Sequence, residues 1–439
     1  SHPVKYFKLP LIKAVLRMYG NIVGQNNIIM RLTKLYLHNI GPFQNSEMEL
    51  LAEEQVDALK KDSSLPLPVV IITGENGTGK SVILDAIRTV LSGVTKLERD
   101  IIADHDDFKI SLDYLEKSIE KNVVSKSLAG YESLGVDTND SRLNTIITDE
   151  EAAEKVDWIV DYWSPDLDTG SFKISNLSTI NPQAQMNSPF LKTFANSKVN
   201  QFICNLDYLR GSDKEEERQE GQYLYDLLAS MLSDCLADGR FLYVARRTMM
   251  PMVEVRGKEL PLDKLSMGNL LLFNHFVSTL YRMYIVSQRL HIPIEQVNRL
   301  HGVLLIDEIE NHLHPKWQRK IIGLIQKYFP NLQLIVTTHS PFVVTAVDNS
   351  KVFVCVSRID HSEILDVTES YSNLPVDEVL SGAVFGEVGP FGTQIADLLR
   401  KRKNAAEEGN KEEQNKIEKK LLELNSSYFG FLDLSSMLA

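Results

Sequence analysis

From Met30 the apolar positions repeat at strand spacing. Leu32, Leu35 and Leu37 stand among Arg31, Lys34 and His38, the turn Asn39-Ile40-Gly41-Pro42 follows, and alternation resumes from Phe43 to Leu50. This pattern predicts a β-rich start. A polar stretch from Ala52 to Ser64 leads to Pro66 and Pro68, and then Val69-Val70-Ile71-Ile72 forms a run with no polar break. A short continuous apolar run fits a strand buried on both faces of a parallel sheet. Val303–Ile306 and Leu332–Thr337 read the same way, and helices are expected over Ser81–Leu91 and Leu270–Val286.

Between these blocks the pattern loosens. Acidic, helix-like patches at Asp100–Asp107 and Thr148–Tyr162 alternate with a Ser/Asn/Pro-rich stretch from Ser171 to Ser188. The charge run Asp213–Glu220 reads as a solvated helix start or loop. Heptads are absent, so the middle is expected to be globular and not a coiled-coil arm. Lys5, Lys8, Lys13 and Arg17 interrupt the apolar residues of the first twenty, which suits a short basic amphipathic helix and not a secretory leader. Gln394–Leu424 reads as a pair of solvated helices carrying the basic run Arg400-Lys401-Arg402-Lys403. These readings divide the chain into an appendage (1–29), a first sheet half (30–91), an insertion with a helical lobe (92–261), a second sheet half (262–360) and a charged helical tail (361–439).

Composition narrows the classes further. The chain has 439 residues, 43% of them hydrophobic and 24% charged, which is ample for a core. Its net charge of −12 argues against a general coat for nucleic acid, since affinity for phosphate backbones comes from clustered cations. Three dispersed cysteines make neither a disulfide framework nor a zinc cluster, and a reduced, cytoplasmic setting is expected. No apolar stretch reaches the ~18 residues needed to span a bilayer.

Gly74-Glu75-Asn76-Gly77-Thr78-Gly79-Lys80-Ser81 matches G-x-x-x-x-G-K-[ST], directly after a buried strand and opening a helix. Backbone N–H groups of such a loop wrap phosphate oxygens, the helix N-terminus adds positive potential, Lys80 reaches the β- and γ-phosphates, and the Ser81 hydroxyl can ligate Mg²⁺. An accidental glycine-rich turn is the alternative, and the strand–loop–helix setting argues against it. Val303–Ile306 delivers Asp307 and Glu308, the first placed to hold Mg²⁺ and the second to polarise an attacking water. Leu334–Thr337 delivers His339, aimed at a γ-phosphate. Ser266 and Gly268, in Leu265-Ser266-Met267-Gly268-Asn269, open a helix, a second anion-binding element that alone is no more than an ordinary cap. His312 and His314 imitate a metal pair, but Pro315 directly after them fits a loop turning into a helix better.

Phosphate loop, L-S-x-G, Asp-Glu strand end and histidine, in that order, resemble the ABC-type ATPase head. Asp307-Glu308-Ile309-Glu310-Asn311-His312-Leu313-His314-Pro315 with Thr338-His339-Ser340-Pro341 resembles its SMC/RecF/OLD-like branch and not transporter subunits. The resemblance implies an α/β fold: a mixed sheet with a phosphate-loop core, a helical lobe, a globular insertion and no long coiled coil. It implies ATP held by Gly74 to Ser81, Mg²⁺ held by Ser81 and Asp307, Glu308 as general base and His339 as γ-phosphate sensor. Ser266 and Gly268 would touch the nucleotide of a second copy in a head-to-head dimer, with Glu310–His314 lining the interface. Asn269 stands where Gln or Glu is usual, and Gln183, Gln185 and Gln201 all remain open for the glutamine loop.

The stretch after Pro375 resembles the ATPases of anti-phage operons of the Septu PtuA type, including retron-associated versions, and more distantly the PARIS ATPase. The 100 residues after His339 are too few for the fused Toprim nuclease of OLD and Gabija ATPases. The expected partners are therefore a second copy, a separate nuclease or toxin effector, for instance of HNH type, and retron nucleic acid with its reverse transcriptase or a phage-derived trigger. No membrane partner is expected. The competing expectation is a RecF/SMC-like repair or chromosome-maintenance ATPase that binds DNA between dimerised heads.

Overall fold

The computed structural model describes residues 30–62, 64–92, 107–116, 118–126, 135–138, 158–166, 168–178, 180, 194–236, 238–371, 374–382 and 392–430. The basic helix read over the first twenty residues lies outside them. The chain forms two compact units divided after residue 373.

The first unit is built on two sheets facing a common helix. One is antiparallel, ordered β2-β1-β4-β5-β6, from β1 (Met30–Ile40), β2 (Phe43–Glu49), β4 (Lys109–Glu116), β5 (Ile119–Lys126) and β6 (Gly135–Thr138). The other runs β14-β13-β3-β12-β11-β7, from β3 (Val69–Gly74), β7 (Trp158–Trp163), β11 (His301–Ile306), β12 (Leu332–Thr337), β13 (Ser350–Ser357) and β14 (Ser362–Asp366). All its strands are parallel except β14 at the edge. β3 and β12 are buried along their whole length, which is why their sequences lack alternation.

Helix α2 (Lys80–Ser92) lies between the sheets. Its Ile83, Leu84 and Ile87 share one core with Leu32, Leu35 and Leu37 of β1 and with Ile72, Leu305 and Ile335 of the parallel sheet. The phosphate loop thus enters a helix clamped from two sides.

A helical lobe contains α3 (Asn196–Leu209), α4 (Glu215–Asp234) and α5 (Met267–Leu290), with a small antiparallel sheet of β8 (Gly239–Ala245), β9 (Met250–Val255) and β10 (Lys258–Pro261). α5 is apolar around most of its circumference and buried from Leu270 to Ser287 except at His275. The second unit contains a hairpin of α6 (Thr393–Glu407) and α7 (Lys411–Leu424), closed over Ile417, Leu421 and Phe429. This agrees with the charged helical pair read from sequence.

Three readings change. The polar stretch after Leu51 contains helix α1 (Glu53–Lys61), whose Val56 and Leu59 pack on Leu51 and Leu115; two apolar residues at helical spacing suffice. The patch read as helical up to Tyr162 ends in strand β7, and its residues 148–157 lie outside the described residues. Asp161 breaks the apolar run there, yet is fully buried beside Arg282. The stretch 92–261 is not one block outside the sheets, because β4 pairs with β1 and β7 pairs with β11.

Candidate functional site

Parallel pairing brings the carboxyl ends of β3, β12, β11 and β7 side by side, the edge where open α/β sheets hold ligands. β3 runs into the phosphate loop. Gly74 has φ +138°, and a Cβ there would sit 2.3 Å from the Cys355 carbonyl oxygen of β13. Gly79 has φ +99° and lies under the Phe43 ring, with only 2.6 Å left for a Cβ. Both glycines are fixed by conformation and by space.

Inside the loop Thr78 Oγ1 donates to the Glu75 carbonyl at 2.8 Å. Lys80 Nζ donates to the carbonyls of Gly74 and Glu75 at 3.1 and 2.7 Å. Burial pulls the Lys80 ammonium below its ordinary range, and the nearby Asp307, Glu308 and Glu310 oppose that pull. A buried cation beside a glycine cradle is suited to phosphate oxygens.

β11 ends in the acidic pair. Asp307 is buried; its Oδ1 accepts from Thr337 Oγ1 at 2.5 Å and its Oδ2 from the Tyr162 hydroxyl at 3.3 Å. The same Thr337 oxygen accepts from the Glu308 N–H at 2.8 Å. Glu308 takes φ +47°, a left-handed conformation that costs energy for a side chain with a Cβ. Burial, then Asp307 and Glu310, push its carboxyl above the usual carboxylate range.

His339 follows β12. Its N–H donates to Glu310 Oε1 at 2.5 Å, and Thr338 Oγ1 donates to Glu310 Oε2 at 2.6 Å. Burial and Lys80 hold the His339 imidazole below its ordinary range, against Glu310 and Asp307. Sequence placed Glu310 only in an interface loop, so its grip on the histidine loop is a finding of the structure.

The segment after β7 also reaches the acidic turn. Asn311 Nδ2 donates to the Pro165 carbonyl at 3.0 Å, and Asp166 contributes to raising Glu308. Of the three glutamines left open, Gln201 bonds to Asn205 in the helical lobe, while Gln183 and Gln185 lie outside the described residues. No motif marked Tyr162 or Asp166, and the motifs that hold Thr337 and Glu310 gave those two no part in positioning the acidic pair or His339. Their one sequence signal is adjacency to a strand end.

Ser266 caps α5, accepting from the Asn269 N–H at 3.4 Å. A Cβ on Gly268 would lie 2.4 Å from the His312 carbonyl oxygen, so this turn packs against the loop that follows the acidic pair of its own chain. His314 caps the helix Pro315–Gln318 through Nδ1, as the Pro315 spacing suggested.

Among the described residues no three His, Cys, Asp or Glu side chains form a metal cage. Ser81 and Asp307 offer hard oxygen donors, and this set fits Mg²⁺, which takes its remaining ligands from phosphates and water.

A phosphate loop between sheet and helix, facing an acidic strand end and a histidine, resembles the arrangement of phosphate-loop proteins with an ABC-type head. A protein-family model described as an AAA domain matches residues 34–231, and one described as "AAA domain, putative AbiEii toxin, Type IV TA system" matches residues 209–345. The chain is 28% identical over 176 residues to the Retron Vc95 probable ATPase of Vibrio cholerae, a match covering 39% of this chain and 32% of that relative. It is 24% identical over 313 residues to the Septu protein PtuA of Bacillus thuringiensis, covering 68% and 74% respectively. The SMC head domain from Thermotoga maritima aligns with 77% of this chain and 99% of its own at 16% identity and a TM-score of 0.42. The resemblance to Septu and retron ATPases read from the motifs is borne out.

Proposed function

We propose that the chain is the ATP-binding and ATP-hydrolysing subunit of an anti-phage defence complex. The observation that carries this reading is the convergence of Lys80, Asp307, Glu308 and His339 on the carboxyl edge of one parallel sheet. The loop from Gly74 to Ser81 binds the phosphates of ATP, and Ser81 and Asp307 hold Mg²⁺, which when bound neutralises charge on the β- and γ-phosphates. Glu308 takes a proton from the attacking water, and the raised affinity of its carboxyl for protons suits a base. His339, kept neutral by burial and by Lys80, donates or accepts a hydrogen bond at the γ-phosphate.

Ser266 and Gly268 stand at the start of α5, so that a second copy brings them to the nucleotide. ATP then joins two heads, and hydrolysis parts them. This cycle restrains or licenses a separate nuclease or toxin chain. The similarity to Septu and retron ATPases supports the defence setting.

The test is an affinity pulldown of the natively expressed operon product, with mass spectrometry and light scattering, with and without ATP. A nuclease or toxin chain recovered at fixed ratio is the expected result. A homodimer carrying only nucleic acid would replace this reading with the repair ATPase.

A further inference from the structure

The end of β12 and the turn after β11 are joined residue by residue. Thr337 meets Asp307 and Glu308 through its hydroxyl and Ile309 through its carbonyl, which accepts from the Ile309 N–H at 3.2 Å. Glu310 then takes the next two donors, the Thr338 hydroxyl and the His339 N–H, one on each carboxylate oxygen. A separate bridge lies beyond. Gln318 donates to the Leu313 carbonyl at 2.8 Å and accepts from Ser340 Oγ at 2.7 Å.

We infer that Glu310 is a positioning residue for His339, fixing the backbone from which the imidazole projects; this rests on the reading of the site as ATP-hydrolysing. Three features carry it. The carboxylate bonds the histidine's own backbone N–H, and charge-assisted bonds of that kind are the short, strong ones. Its second oxygen fixes the preceding residue, so rotation about the Thr338–His339 peptide is opposed at both ends. The Thr338 hydroxyl also accepts from the Ser340 N–H at 3.0 Å, which extends the restraint past the histidine.

Without Glu310, no side chain among the described residues holds the His339 N–H. Gln318 would still join the two loops, but through Ser340 and not through His339. The two bridges therefore separate a loop that is merely attached from a histidine that is aimed. An error of about 1 Å in a reacting group can cost on the order of 100-fold in rate.

The experiment measures single-turnover ATP hydrolysis and nucleotide affinity for Glu310→Ala, Glu310→Gln, His339→Ala and the double variant Glu310→Ala/His339→Ala. Glu310→Ala should slow turnover on the order of 100-fold while affinity changes less than about threefold, the signature of a lost transition-state contact. Glu310→Gln should restore most of the rate, because its amide oxygen still accepts from His339 and the Thr338 hydroxyl can turn to accept. The double variant should be no slower than His339→Ala within a factor of about two, since a residue acting only through His339 has nothing left to align. Parental turnover in Glu310→Ala, or losses that multiply in the double variant, would overturn the inference.

Histidine-selective NMR supplies a readout independent of turnover. Glu310→Ala should move or broaden the His339 ring signals, and Gln318→Ala should leave them in place. An unmoved His339 signal in Glu310→Ala overturns the inference on its own. A parental protein that binds ATP without hydrolysing it would instead sink the ATPase reading.

Discussion

The side-chain amide of Gln333 satisfies both backbone groups of Leu32: it accepts from the N–H and donates to the carbonyl, each at 2.8 Å. The two residues are 301 positions apart, and this amide joins the antiparallel sheet to the parallel one. Gln333 is fully buried, so removing it leaves two backbone groups without water. Gln333→Leu should destabilise the protein by about 3 kcal/mol, from a penalty of about 1–3 kcal/mol for each orphaned group. Urea unfolding measures this, and an unchanged midpoint would show that Leu32 finds other partners.

A second cross-link ties the helical lobe to the sheet. Asp161 of β7 is fully buried with Arg282 Nε of α5 at 2.7 Å, an ion contact out of line for a hydrogen bond. Thr279 donates to the other carboxylate oxygen at 2.5 Å, and Trp163 Nε1 donates to Thr279 at 2.8 Å. Asp161→Ala strands a buried guanidinium and should cost about 3–5 kcal/mol. Replacing both partners, Asp161→Leu with Arg282→Met, should cost clearly less, because no unpaired charge remains. Equal losses in the two variants would rule out charge as the cause.

The phosphate loop, the acidic pair and His339 were legible because each follows an apolar run, Val69–Ile72, Val303–Ile306 or Leu334–Val336, and the β2-β1 hairpin because apolar residues recur on both sides of the turn Asn39-Ile40-Gly41-Pro42. β7 was not, since a run holding Asp161 looks half-polar until Arg282 is placed beside it. Helix α1 was missed because its buried face is two residues wide in a charged segment. The roles of Thr337 and Glu310 were hidden for another reason. They depend on which strands become neighbours, and parallel order is set by pairing across the whole chain, which local spacing does not encode.

Gly268 offers a test of coupling within one chain. Gly268→Ala places a methyl group 2.4 Å from the His312 carbonyl oxygen, and main chain on both sides must give way. The loop that shifts is the one following Glu308. Turnover should fall at least about 10-fold with ATP affinity nearly unchanged, as for lost transition-state positioning. Hydrogen exchange of residues 308–314 should quicken in the monomer. Unchanged exchange there would confine the effect of Gly268 to contacts with a second copy.

Glu308 sits where function and stability oppose each other. Its folded-state carboxyl lies above the ordinary value through burial, then through Asp307 and Glu310, and its φ is +47°. A carboxyl whose folded value exceeds its unfolded one favours the native state while protonated. That advantage is present below the unfolded value and is lost as pH rises through the folded one. At neutral pH the ionised side chain is therefore a net cost to stability. Glu308→Gln removes the charge and should raise the melting temperature at pH 7, with the difference shrinking as pH falls into the ordinary carboxylate range. The same substitution should preserve ATP binding, stop hydrolysis and hold the heads together with ATP, read by light scattering. In the parental protein the acid limb of the turnover–pH profile should lie above the ordinary Glu range, because only the ionised form accepts a proton. Hydrolysis by Glu308→Gln at the parental rate would assign the base to another residue.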